Sequence, residues 1–164
     1  MKIAIISDSH DNVANVKRVV DWLNRENIKL ILHCGDVCTR ATLKEGFSSF
    51  SGEINITLGN ADARHDLEIG KIENANIFSG VKEIKIGNKK IAFNHFPEVA
   101  EDIARKGKYD IVFHGHTHKP WESQVGNCRV VNPGELAGVF HKPTFAVYDT
   151  ETDKLELKIV ETLS

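Results

Sequence analysis

The strongest limit on the fold is a short apolar run that ends abruptly in charge. Lys2 to Ser7 reads KIAIIS and stops at Asp8-Ser9-His10-Asp11, with a helical pattern following from Asn12. Isoleucine-rich runs of this length mark strands buried on both faces. Two acids and a histidine therefore stand where a parallel strand ends, the place where open α/β sheets hold their ligands. The arrangement recurs along the chain. Ile28 to His33 leads into Cys34-Gly35-Asp36, Glu53 to Leu58 into Gly59-Asn60-Ala61-Asp62, and Asp110 to Phe113 into His114-Gly115-His116-Thr117-His118. These strand ends are read as converging on one metal site.

Between them the sequence predicts helices. Asn12 is placed to cap a helix running to about Arg25, with Val13, Val16, Val20 and Leu23 on one face. A second helix is expected over Ala41 to Phe47. Three strands with two intervening helices imply a parallel sheet built by right-handed crossovers. From about Ala75 the texture changes. Val81 to Ile86 and Lys90 to Asn94 flank Gly87-Asn88, a hairpin signal, and the second of these strands leads to His95. Glu98 to Lys106 reads as a helix, and Trp121 to Val125, Arg129 to Val131, Thr144 to Tyr148 and Leu155 to Val160 read as strands. Parallel units followed by antiparallel ones predict two mixed β-sheets packed face to face, with helices on the outside.

At 164 residues the chain is long enough to bury a core without staples, and it is assigned to one domain, 1–164. A net charge of −2 supplies no basic field for nucleic acid or anionic lipid. The first apolar run is too short, and ends in too many acids, for a signal peptide or a membrane span. Cys34, Cys38 and Cys128 form no paired framework. They read as small buried thiols in a reducing cytoplasm, rather than as a zinc clip.

The strand-end donors are Asp8, His10, Asp36, Asn60, His95, His116 and His118. All offer oxygen or imidazole nitrogen, which suits divalent manganese, iron, zinc, nickel or magnesium. Seven donors are too many for one ion with an open position, and they fit two ions that share a carboxylate. Each has a plainer reading alone. Asp8 and Asp11 suit a helix cap, Gly59-Asn60 a turn, His95 a satisfied buried histidine, and His116 with His118 an exposed turn. Their joint occurrence at successive strand ends argues for the metal site, with His114 left as part of a strand end.

The ordered set Asp8-x-His10, Gly35-Asp36, Gly59-Asn60, His95 and Gly115-His116-x-His118 resembles the calcineurin-like metallophosphoesterase superfamily, in its small single-domain YfcE-like branch. The match spans Met1 to about Gly138. The resemblance implies a four-layer αββα sandwich and two divalent ions per chain, manganese foremost. Asp8, His10 and His118 would hold one ion, Asn60, His95 and His116 the other, and Asp36 would bridge, with Asp36, Asn60 and His95 also counted as catalytic. A hydroxide between the ions would attack phosphorus in line. Two divalent ions offset by two aspartates leave a charge that hydroxide and a diester monoanion neutralise, which favours a small phosphodiester as substrate. Relatives often self-associate, and no apolar stripe here decides that point.

Departures from the family pattern matter too. Many members carry a histidine after the asparagine of the third motif, where this chain has Ala61. Good leaving groups are therefore expected, or an acid from His33, Arg64, His65 or His141. Phe96-Pro97 follows His95 where relatives often have glycine and a second histidine, which reshapes the pocket wall. Asn132-Pro133-Gly134-Glu135 stands where the family often ends in serine, and Glu135 is read as a solvated turn residue. Asp62 is expected to cap a helix or to support the site. Two other functions fit the same fold, a non-catalytic protein-binding scaffold and a phosphomonoesterase.

Overall fold

The computed structural model describes residues 1–63, 66–67 and 73–164. Six strands form one sheet: β1 (Lys2–Ile6), β2 (Leu30–His33), β3 (Glu53–Thr57), β4 (Ala75–Phe78), β10 (Thr144–Asp149) and β11 (Lys154–Ile159). Their spatial order is β11-β10-β1-β2-β3-β4, with β1 to β4 parallel and β10 and β11 added antiparallel. The second sheet runs β5 (Lys82–Ile86), β6 (Lys89–Phe93), β7 (Ile111–Phe113), β9 (Cys128–Asn132) and β8 (Trp121–Val125). Here β6, β7 and β9 are parallel, and antiparallel β5 and β8 close the two edges. Three helices are named among the described residues: α1 (Val13–Arg25), α2 (Arg40–Gly46) and α3 (Pro97–Arg105).

Period-two alternation in the strands assigns each side chain to a layer. In β1, Ile3 and Ile5 pack between the sheets with Leu30, Leu32, Ile91, Phe93, Ile111 and Phe113. Ala4 and Ile6 point the other way, against Val16, Val19, Val20 and Leu23 of α1 and Leu43 of α2. On the far side, Ala92, Val112 and Val130 pack against Ala100, Ile103 and Ala104 of α3. The result is helices, sheet, sheet, helix. Each fully buried Ile, Leu or Phe contributes about 1.5–3 kcal/mol, and this core holds the strand ends in place.

Most of the expected elements are present within a residue or two. Asn12 caps α1 by accepting from the Asn15 amide at 3.1 Å. Val13 is only partly buried, and Val19 takes its place on the packed face. One strand has no counterpart among the expected elements: β4 lies parallel to β3, with Ile54 opposite Ala75 and Thr57 opposite Phe78. Its side chains are only half-buried and it carries no long apolar run. No helix among the described residues is long and apolar enough to cross a membrane.

Candidate metal centre

The loops after β1, β2, β6, β7 and β9 are tied to one another by their backbones. The Asp8 and His10 amides donate to Gly35 and Asp36 carbonyls at 3.0 Å each, and Gly115 donates to the His95 carbonyl at 3.0 Å. Leu136 and Ala137 donate to the carbonyls of Ser7 and Asp8, again at 3.0 Å. Two glycines are required by the closeness of these loops. Gly35 has φ +97°, and a Cβ there would lie 2.6 Å from His95 Nδ1. At Gly59 a Cβ would overlap Asp36 Oδ1 and lie 2.8 Å from the Asp36 amide nitrogen. Five of the predicted ligands adopt left-handed backbones: Asp8 (+51°), His10 (+38°), Asp36 (+58°), His116 (+71°) and His118 (+60°). Such conformations cost about 1–3 kcal/mol each and cluster at functional sites, where the surroundings enforce them.

All seven predicted side chains meet at this end of the sheets. His10 Nε2 lies 3.3 Å from His118 Nε2, 3.9 Å from Asp8 Oδ1 and 3.6 Å from Asp36 Oδ2, and His118 Nε2 lies 3.5 Å from Asp8 Oδ1. A second group adjoins the first. His95 Nε2 is 3.4 Å from Asp36 Oδ2 and 3.0 Å from Asn60 Oδ1, while His116 Nδ1 is 2.9 Å from Asn60 Oδ1 and 3.2 Å from His95 Nε2. Asp8, Asp36 and His95 form the buried floor, His10 and His118 are partly exposed, and Asn60 and His116 stand at the mouth.

The outer contacts decide what the inner atoms offer. His95 Nδ1 faces the Cys34 carbonyl at 2.9 Å and His118 Nδ1 faces Glu135 Oε2 at 2.9 Å. Both acceptors call for a proton on Nδ1, so each ring in its neutral form offers a lone pair at Nε2. His10 Nδ1 contacts Cys38 Sγ at 3.4 Å, which likewise turns its Nε2 inward. His10 Nε2 and His118 Nε2, 3.3 Å apart with two carboxylates nearby, gather nitrogen and oxygen donors around one point. The residues present therefore fit divalent cations, as two clusters of possible ligands also indicate: Asp8-His10-His118 and Asp8-Asp36-His95.

Electrostatics follow from this crowding. Burial pushes the Asp8 carboxyl above its usual range, and hydrogen bonding and the neighbouring imidazoles only partly offset it. For Asp36 burial also pushes upward, but His95 and the Ala61 amide more than reverse it and hold the carboxyl low. His95 shows the matching effect. Burial pulls its imidazole down and Asp36 lifts it further up, to a net rise.

Supporting residues depart from expectation in several places. Glu135 is not a solvated turn residue: it is fully buried, in an unbroken buried stretch from Val130 to Ala137. Burial raises its carboxyl, while His118 and the amides of His141, Val139 and Phe140 bring it below the ordinary value. That acid inside the apolar setting V-V-N-P-G-E-L-A is the signal the sequence offers. Cys38 is not a buried thiol either. It is partly exposed, with a left-handed backbone (φ +77°) and its Sγ 3.4 Å from His10 Nδ1. Cys34 and Cys128 are buried as expected.

Asp62 takes the amides of Asp36 (3.0 Å), Gly59 (2.7 Å) and Cys38 (2.8 Å), bracing two ligand-bearing loops against each other. His33 is fully buried, accepting from Gly35 N–H on Nδ1 and contacting Ser9 Oγ through Nε2, and is not a solvent-facing acid. His141 is exposed and lines a groove with Thr117, Lys119 and Trp121. His114 turns its Nδ1 to the Gly115 carbonyl and joins neither ligand group. Arg64 and His65 lie outside the described residues. Phe96 packs on His95 and His116, with ring centroids 4.9 and 5.3 Å away, and Phe140 packs on His118 at 5.0 Å.

Known proteins resemble this chain along nearly its whole length. Phosphodiesterase MJ0936 of Methanocaldococcus jannaschii is 34% identical over 167 residues, covering 98% of this chain and 100% of the relative. A structure described as a novel archaeal phosphodiesterase superposes with a TM-score of 0.86 at 32% identity, covering 97% of this chain and 99% of that one. YfcE, a phosphoesterase from E. coli, shares the fold with a TM-score of 0.77 at 18% identity, covering 100% and 96% of the two chains. Residues 1–153 match the calcineurin-like phosphoesterase superfamily domain, and the chain thus belongs to that superfamily, as a phosphoester hydrolase.

Proposed function

We propose that the chain hydrolyses small phosphodiesters by in-line displacement at two divalent ions, manganese foremost, within one domain spanning 1–164. Asp8, His10 and His118 hold one ion, Asn60, His95 and His116 hold the other, and Asp36 serves both. Asp36 carries this reading, because its Oδ2 lies 3.6 Å from His10 Nε2 and 3.4 Å from His95 Nε2. One carboxylate oxygen is thus shared by the two donor groups. When bound, two such ions supply a nucleophile from water at neutral pH and neutralise charge on the phosphate oxygens.

The protein's part is placement. His95 is fixed by the Cys34 carbonyl and His118 by Glu135, so neither ring turns as the phosphate arrives. Asp36 keeps its charge because His95 and the Ala61 amide favour the ionised form. Asn60 and His116, at the exposed mouth, meet the phosphate first. Asp8 and Asp36 offset half the charge of two divalent ions, and a nucleophilic hydroxide with a diester monoanion balances the rest, whereas a monoester dianion overshoots. Ala61 has no proton to give a departing alkoxide, so esters with good leaving groups are favoured. Similarity to the phosphodiesterase MJ0936 supports the same substrate class. Three free thiols suit a cytoplasmic protein.

Purified protein loaded with Mn²⁺ is expected to cleave bis(p-nitrophenyl) phosphate faster than p-nitrophenyl phosphate, with turnover lost on chelation. Faster monoester turnover would make it a phosphomonoesterase. No chelator-sensitive turnover, together with no bound metal, would favour a protein-binding scaffold.

A further inference from the structure

Among the described residues, Glu135 is the one fully buried acid that the proposed reaction leaves without a part, apart from its contact with His118. Its carboxylate takes four N–H groups. Oε2 accepts from His118 Nδ1 at 2.9 Å and from the Val139 amide at 3.1 Å, and Oε1 accepts from the amides of Phe140 at 2.7 Å and His141 at 2.6 Å. A carboxylate has room for about four such bonds, so this one is saturated. Its donors come from two separate pieces of chain, the Gly115–His118 turn and the segment 139–141. That segment lays the Phe140 ring edge-on against His118, with Phe140 otherwise 71% exposed.

We propose that Glu135 is a positioning residue that couples the cation site at Asp8, His10 and His118 to the segment 139–141, by gripping both at once. The proposal rests on the two-ion reading above. A carboxylate only accepts, so Glu135 fixes the proton on His118 Nδ1 and aims the Nε2 lone pair at Asp8 and His10. A divalent cation drawing on Nε2 polarises the Nδ1–H bond and tightens its hold on Glu135. The carboxylate, held harder, keeps the three amides and therefore the Phe140 wall of the cleft. Coupling of this kind is reciprocal: an ordered segment also improves cation affinity. Serine, which the family often carries at this position, has one short hydroxyl and cannot span four donors.

Equilibrium dialysis against Mn²⁺ tests one half of the coupling, in the wild type and in Glu135→Gln and Glu135→Ser. Amide exchange read by mass spectrometry on peptides covering 136–144, with and without Mn²⁺, tests the other. The wild type is expected to bind two ions, and both variants to weaken one of them by about 10–100-fold while leaving the second unchanged. Mn²⁺ is expected to slow exchange at Val139, Phe140 and His141 in the wild type and not in the variants. Wild-type affinity for both ions in folded variants overturns the proposal, as does equal weakening of both, which marks a general structural role. If the variants do not fold, the wild-type exchange decides alone, and amides indifferent to Mn²⁺ overturn it. A wild type that binds a single ion, with affinity that still falls in Glu135→Gln, upholds Glu135 and overturns the two-ion reading instead.

Discussion

Gly59→Ala tests the packing of the centre without replacing a ligand. The added methyl would overlap Asp36 Oδ1, and it would lie 2.8 Å from the Asp36 amide nitrogen and 2.9 Å from Asp36 Cγ. The side chain can swing away, but the backbone nitrogen cannot. The 59–62 loop must therefore draw back from Asp36, loosening the Ala61 N–H bond to Asp36 Oδ1 (2.8 Å) and the Asp36 N–H bond to Asp62 Oδ2 (3.0 Å). Overpacking of this kind costs about 1–3 kcal/mol. Misplacing a reacting group by about 1 Å costs about 10²-fold in rate. Gly126→Ala is the control. Gly126 has φ +60° and a methyl group added there would meet nothing within 4 Å, so its cost is backbone strain of about 1–2 kcal/mol alone. Thermal unfolding of the metal-free proteins should thus show similar losses for both variants. Turnover of bis(p-nitrophenyl) phosphate at saturating Mn²⁺ should fall about 10²-fold in Gly59→Ala only. Wild-type turnover in Gly59→Ala, or an equal loss in Gly126→Ala, would refute the reasoning.

Two further outcomes are expected. Ala61→His should raise turnover of alkyl phosphodiesters more than of nitrophenyl ones, by up to about 10²–10⁴-fold if a missing acid limits the poor leaving groups; equal gains on both would show that it does not. Burial holds the His33 imidazole neutral down to about pH 3, against an ordinary value of 6.5. Between those values the unfolded chain binds a proton that the folded chain refuses, so stability is lost as pH falls from about 6.5 toward 3, at up to about 1.4 kcal/mol per pH unit. His95, lifted by Asp36, acts in the opposite direction. The comparison is therefore between variants: urea unfolding of metal-free His33→Gln at pH 6.5 and pH 5 should show about 2 kcal/mol less acid loss than the wild type. An equal loss in both would place the titrating group elsewhere.

The parts of the fold legible in the sequence are those where burial is written locally. β1 and β2 are apolar runs cut off by Gly or Asp, β3 alternates isoleucine with polar residues up to Gly59, and the β5–β6 hairpin is announced by Gly87-Asn88. β4 is not legible because a half-buried edge strand of four residues leaves no periodic trace, and its place is set by pairing with β3. The order of the donors is readable because each follows a strand, yet their left-handed backbones are not, since contacts from other loops impose them. Glu135 shows the limit most clearly. Asn-Pro-Gly reads as a turn and an acid after it as solvated, whereas its partners are His118, seventeen residues earlier, and amides four to six residues later. Cys38 escapes a local reading for the same reason: its neighbour is His10, across the loops that follow β1 and β2.

Diffraction from crystals grown with Mn²⁺, recorded at the manganese absorption edge, measures the centre itself. Two anomalous peaks are expected, one among Asp8, His10 and His118 and one among Asn60, His95 and His116, with Asp36 between them. Two ions joined by a shared carboxylate should lie roughly 3.5–4 Å apart. A single peak, or peaks away from Asp36, would contradict the two-ion centre.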